Sequence, residues 1–183
     1  SLKETDLNKI RISYSQHLAN DYKNHEISWD NGMNTLLNAT GYHWVNHFTI
    51  DGKRSNDTVE KGFNCLVLDV DKGVTLKQAQ EYLSDYTYIM HTTKRHQVID
   101  EHGNCNDRFR IILPLSYIVE LSEPEYKIFM TNIQKWLPFE LDSQTFQRSR
   151  KWAVTENCEI VRNTGELVDP LPYIPHSTKH TQH

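Results

Sequence analysis

Apolar residues fall at Leu7, Ile10, Ile12, Tyr14, Leu18 and Tyr22, near enough to a helical repeat to predict a helix over residues 7–22. A second, shorter helix is expected around Met33, Leu36 and Leu37, ended by Gly41. Residues 42–50 read as extended, Asp51-Gly52 as a turn and residues 54–61 as a polar loop. The pattern then changes. Phe63-Asn64-Cys65-Leu66-Val67-Leu68-Asp69-Val70-Asp71 is a nearly unbroken apolar run closing on two acids, which reads as a buried strand. Lys72-Gly73 turns the chain into a helix over residues 75–83 with Thr75 as N-cap. A strand is expected at 86–92, a polar loop at 93–107 and another strand at 108–115, with Pro114 marking its end. Ser122-Glu123-Pro124-Glu125 opens a capped helix reaching about Trp136. Short irregular pieces follow, and residues 176–183 lack apolar periodicity and read as a disordered tail.

Helices first, then β-α-β-β-α-β, predict an α+β chain with a mixed or antiparallel sheet. Residues 1–60 are expected to form an N-terminal helical or α/β module of the same domain, and residues 61–175 its core.

A chain of 183 residues with 37% hydrophobic and 24% charged residues is an ordinary globular composition. No apolar run approaches the length that crosses a bilayer, so no membrane partner is expected. Cys65, Cys105 and Cys158 are scattered and odd in number, which points to a reducing, cytoplasmic setting rather than a disulfide framework. The start, Ser1-Leu2-Lys3-Glu4, suggests an excised fragment with a partner domain missing. The net charge of −4 carries no global signature for nucleic acid, yet Lys94-Arg95-His96, Arg108, Arg110 and Arg148-Ser149-Arg150-Lys151 cluster in the second half.

The chemistry concentrates on carboxylates. Residues two apart on a strand share a face, which places Asp69 and Asp71 roughly 6.6 Å apart along the backbone at the strand's end. Two such charges repel, and a divalent cation relieves them; hard Mg²⁺ takes carboxylate oxygens and completes its shell from water and phosphates. Asp142, after Phe139-Glu140-Leu141, is another acid at the end of an apolar approach. Each of these acids also fits a solvated strand end or a turn cap. Arg108 and Arg110 share one strand face, and forked guanidiniums suit a triphosphate, as does an imidazole at His91 or His96. The plainer alternative pairs both arginines with surface acids. His91, His96, His102 and Cys105 fit no familiar zinc spacing. GxxxxGK[ST], GxGxxG and GxSxG are absent.

Four elements in order resemble the primase-polymerase domains of phage and plasmid replication proteins, in the archaeo-eukaryotic primase superfamily. They are Leu66-Val67-Leu68-Asp69-Val70-Asp71, then Lys94-Arg95-His96, then Arg108-Phe109-Arg110-Ile111-Ile112-Leu113-Pro114-Leu115, then Leu141-Asp142 with Gln147-Arg148-Ser149-Arg150. The resemblance spans residues 60–155. It implies an RRM-like catalytic sheet flanked by helices beside a smaller N-terminal α/β module, with Mg²⁺ or Mn²⁺ held by Asp69, Asp71 and Asp142. It also implies template-directed transfer from NTP or dNTP to a 3′-hydroxyl, with single-stranded DNA template and primer as partners and a helicase domain elsewhere in the full-length chain. His96 would touch nucleotide phosphate, with His91 as rival because Lys94-Arg95 precede His96; Arg148 and Arg150 are unresolved between them. Two other readings stand beside it: a non-catalytic single-strand-binding replication domain, and a metal-dependent phosphatase, since the same strand resembles the opening of haloacid-dehalogenase-type phosphatases. Lys72-Gly73 after the second acid departs from that family's pattern.

Overall fold

The apolar run before Asp71 becomes a buried strand of a computed structural model that describes residues 2–176. In chain order the elements are β1 (Lys3–Glu4), β2 (Ile10–Ser15), β3 (Lys23–Ile27), α1 (Asn31–Leu37), β4 (His43–Val45), β5 (Gly62–Val70), α2 (Leu76–Tyr82), β6 (Tyr88–Thr92), β7 (Phe109–Glu120), α3 (Glu123–Trp136), β8 (Trp152–Ala153) and β9 (Ile160–Asn163). The expected tail lies outside the described residues apart from His176. No helix among the described residues is long and apolar enough to cross a membrane.

The protein is an α+β fold with two antiparallel sheets. In the larger, β5 and β6 are joined through α2, while β7 lies between them and runs antiparallel to both. β9 extends this sheet beyond β6, and β1 pairs with the far end of β7. The smaller sheet has the order β3-β2-β4-β8.

Strand parity divides the larger sheet into two faces. Leu66, Leu68 and Val70 of β5, Tyr88 and Met90 of β6, and Phe109, Ile111 and Leu113 of β7 pack beneath α2 and α3. Cys65, Val67, Ile89 and Ile112 face the other way, against Ile10, Ile12, Trp44 and Trp152 of the smaller sheet and Met33 and Leu36 of α1. Both long-range helices begin as their sequences predict. Thr75 and Ser122 each accept the N3 backbone N–H while Gln78 and Glu125 reach back to the cap, so both capping boxes are complete.

Three expectations fail. Residues 7–22 are not a helix: Ile10, Ile12 and Tyr14 alternate along β2, which pairs with β3 as a hairpin. The helical spacing depended on Leu7 and Leu18, and both are exposed. The order therefore starts with strands. α1 closes at Asn38, whose N–H returns to the Thr35 and Leu36 carbonyls, and Gly41 serves the next turn with φ +85°. Finally, Pro114 does not end its strand. It lies inside β7 opposite Cys65, where β5 carries a bulge between Phe63 and Cys65, so a residue without an N–H costs the ladder little. The bulged Asn64 bonds β2 instead, accepting from Arg11 N–H and donating to the Lys9 carbonyl.

Candidate metal and phosphate site

The face that is apolar beneath the smaller sheet becomes charged where that sheet stops covering it. Register makes this concrete. Val67 lies opposite Ile112, and Ile112 opposite Ile89, all inside the second core. Two residues along each strand, Asp69 lies opposite Arg110, and Arg110 opposite His91. One step further come Asp71 and Arg108, past the end of β5. A cleft of about 910 Å³ opens over this charged end, lined by Asp69, Asp71, Arg108 and Arg110 on its floor. Thr92–His96 and Ala153–Cys158 form its sides, with Thr40 and Gly41 at one edge.

Asp142 joins the acid pair from a different part of the chain. Its backbone N–H donates to the Asp69 carbonyl at 3.0 Å, and its side chain caps the 3-10 turn Ser143–Thr145 through Gln144 N–H. One carboxylate oxygen from each of Asp69, Asp71 and Asp142 lies within 4.8 Å of the others. Oxygens around an octahedral Mg²⁺ lie about 3–4 Å apart, so small rotations would close the three onto one ion. Among the described residues this is the one group of three such ligands. His102, from the zinc reading, is exposed beside Glu101.

The electrostatics agree with an unmet need for cation. Burial, then the charge of Asp71, raises the Asp69 carboxyl to about 6, against the opposing pull of Arg110. Arg110 Nε is 3.8 Å from Asp69 Oδ1, and Arg108 Nη1 3.7 Å from Asp71 Oδ1. Neither is a hydrogen-bonding distance, and Arg110 Nε is buried without a hydrogen-bond partner. The arginines thus neutralise part of the charge without occupying the acceptors a metal would use. Arg110 is fixed by its Nη1 on the Ala153 carbonyl, 2.8 Å, and by the Trp152 ring beneath it.

Among solved structures, the chain is similar to the AEP domain of the cyanophage S-2L primase-polymerase, with 15% identity, 93% of this chain and 91% of that chain covered, and a TM-score of 0.49. No family model matches the sequence, and no curated protein matches it.

The two histidines separate. His96 lines the cleft, and its Nδ1 accepts the Arg108 backbone N–H at 3.1 Å. His91 is buried behind Arg110, its Nδ1 on the Thr92 carbonyl and its Nε2 without a partner. Burial and the adjacent Arg110 push His91 down to about 4, so at neutral pH it is an uncharged ring. Arg148 and Arg150 separate too. Arg148 is buried away from the cleft, with Nε on Glu123 at 3.1 Å and its Nη atoms on the Leu121 and Asn56 carbonyls. Arg150 is exposed, 5.8 Å from the Trp152 ring, and acts electrostatically on Asp69. Sequence reasoning missed the 154–158 wall and Arg54, whose Nη1 holds the Ser149 carbonyl at 2.7 Å. No local pattern marks either one.

Proposed function

We propose that this chain is the catalytic domain of a divalent-metal-dependent nucleotidyltransferase of primase-polymerase type, adding nucleotides from NTP or dNTP to a DNA 3′-hydroxyl under template direction. The observation that carries the reading is the meeting of Asp142 with Asp69 and Asp71, two acids of a cleft floor whose other charges are arginines. Anionic substrate and cationic metal each find a complementary surface there, side by side. Phosphoryl transfer needs little else: it depends on positioning and on charge neutralisation.

Asp69, Asp71 and Asp142 would hold Mg²⁺ or Mn²⁺, which when bound supplies the charge that lowers the 3′-hydroxyl's proton affinity and steadies the leaving pyrophosphate. Arg108, Arg110 and His96 bind and orient the triphosphate beside the acids. Lys94 and Arg95 stand at its side. Buried, neutral His91 adds no charge behind Arg110 and so leaves that guanidinium's field directed into the cleft. The ordered motifs that resemble the archaeo-eukaryotic primase superfamily support the same reading. Lys72-Gly73 after the second acid weighs against a phosphatase using Asp69 as nucleophile.

Primer extension on a primed template, with NTPs and dNTPs compared in Mg²⁺ and in Mn²⁺, tests the proposal. Wild type should incorporate nucleotides, and Asp69→Ala or Asp71→Ala should abolish incorporation while single-strand binding survives. No incorporation by wild type with either ion overturns it.

A further inference from the structure

Cations continue out of the cleft along one segment of chain. Arg110 holds the Ala153 carbonyl; Arg150 stands over Trp152; Lys151 lies between Arg150 and Trp152 in sequence; and Arg54 reaches from another part of the fold to the Ser149 carbonyl. β4 runs alongside, with His43 registered opposite Ala153. Residues 149–153 therefore carry or collect a file of positive groups that adjoins the acids through Arg110 and Arg150.

Beyond Arg110, no ion pair neutralises that file. Among the described residues, Arg54, Arg150 and Lys151 have no carboxylate within ion-pair distance, whereas Arg11, Arg108, Arg110 and Arg148 each do. The groups also act on one another. Burial, then Arg54, Arg150 and Arg110, lowers the Lys151 ammonium, and burial, then Lys151 and Arg54, lowers His43. Like charges gathered without a counter-ion cost folding energy, and a polyanion is the partner that repays it. A single phosphate would need only two or three convergent donors. An extended row that starts beside a candidate nucleotidyl-transfer centre fits a repeating phosphodiester chain.

We propose that Arg54, Arg150 and Lys151, with His43 beside them, form a track for the phosphate backbone of the primer strand, whose 3′ end reaches the carboxylates. That it is the primer rests on the nucleotidyl-transfer reading; that it is a nucleic-acid backbone does not. Arg54 also bridges the Leu18 and Ser149 carbonyls, so the test leaves it in place.

The test measures fluorescence anisotropy of wild type, Lys151→Gln and the Arg150→Gln/Lys151→Gln double variant across a salt series. The probes are a single-stranded oligonucleotide and a primer–template with a 5′ overhang. Each lost charge should weaken primer–template binding roughly fivefold and flatten the log–log salt slope by about one. The loss on the template strand alone should be smaller. An unchanged salt slope in the double variant overturns the track, and an equal loss on both probes overturns the assignment to the primer. Nucleotide incorporation, assayed in parallel, separates the two proposals: lysine-dependent binding by a wild type that incorporates nothing leaves the track standing and removes the transfer reading.

Discussion

The backbone N–H of Asp142 donates to the backbone carbonyl of Asp69 at 3.0 Å, so two of the three clustered carboxylates are fixed to each other by main chain rather than by side-chain contact. The bond ties the loop after α3 to the end of β5. Removing a charge there need not disturb the fold. Asp142→Asn keeps a side-chain oxygen for Gln144 N–H and leaves the backbone bond intact, so unfolding free energy should stay within about 0.5 kcal/mol of wild type. Incorporation should fall by roughly 100-fold or more, since a metal ligand contributes several kcal/mol to such a transition state. Denaturant titration and primer extension check the two halves. A variant that is stable and fully active would remove Asp142 from the site.

Proton and metal compete at Asp69. With its carboxyl raised to about 6 by burial and by Asp71, the group is ionised at neutral pH and protonated in mild acid. Affinity for Mn²⁺ should be nearly level above pH 7 and fall about tenfold per unit below pH 6 as one proton is displaced. Titration followed by the electron paramagnetic resonance of free Mn²⁺, at pH 5 and pH 7.5, reads this directly. Equal affinity at both would show that Asp69 does not bind the ion.

Acid stability should show two opposed contributions. His91 is pushed down to about 4 by burial and by Arg110, against about 6.5 when unfolded. The unfolded chain therefore takes up a proton that the folded one refuses, and stability present above pH 6.5 drains as pH falls toward 4, by up to about 1.4 kcal/mol per unit. His47, wholly buried and also pushed down, acts in the same direction. Asp69 acts against both: raised to about 6 from about 3.9, it binds its proton first in the folded state, so its share of stability grows as pH falls from 6 to 4. Relative to wild type, His91→Gln should gain stability between pH 7 and pH 4.5. Urea midpoints at pH 7.5, 6 and 4.5 give the curve, and a parallel offset at all three would contradict it.

Arg148 should behave as a structural arginine. Its guanidinium joins Glu123 at the start of α3 to the loop around Asn56, and deleting it strands Glu123 in a buried setting. Arg148→Ala should cost about 3 kcal/mol of stability, in the range for breaking a buried pair. Arg108→Gln, whose partner Asp71 is partly exposed, should change stability little and raise the KM for nucleotide instead. Thermal unfolding and steady-state kinetics on both variants distinguish the roles.

What could be read from sequence was local. Strand parity alone placed Asp69 with Asp71 and Arg108 with Arg110, and the two capping boxes were legible residue by residue. The N-terminal hairpin was not, because Ile10, Ile12 and Tyr14 fit a period of two while Leu7 and Leu18 lent the same stretch a helical look. Burial against α1 and Trp44, far along the chain, decided between them. Pro114 was misjudged for a similar reason: the bulge that tolerates it lies in β5. Arg148 and Arg150 are indistinguishable by spacing, and only Glu123 and Trp152 tell them apart.

The bond from Arg108 N–H to His96 Nδ1 also sets where the imidazole keeps its proton. A ring nitrogen that accepts a hydrogen bond bears a free lone pair, so the neutral ring must be the Nε2–H tautomer. His96 is thereby a single-hydrogen donor with an orientation dictated by the main chain of β7's approach. Such a group can grip an oxygen of a phosphate ester, but it has no lone pair left with which to withdraw a proton from water or a hydroxyl. The imidazole of this cleft is built as a clamp and not as a base.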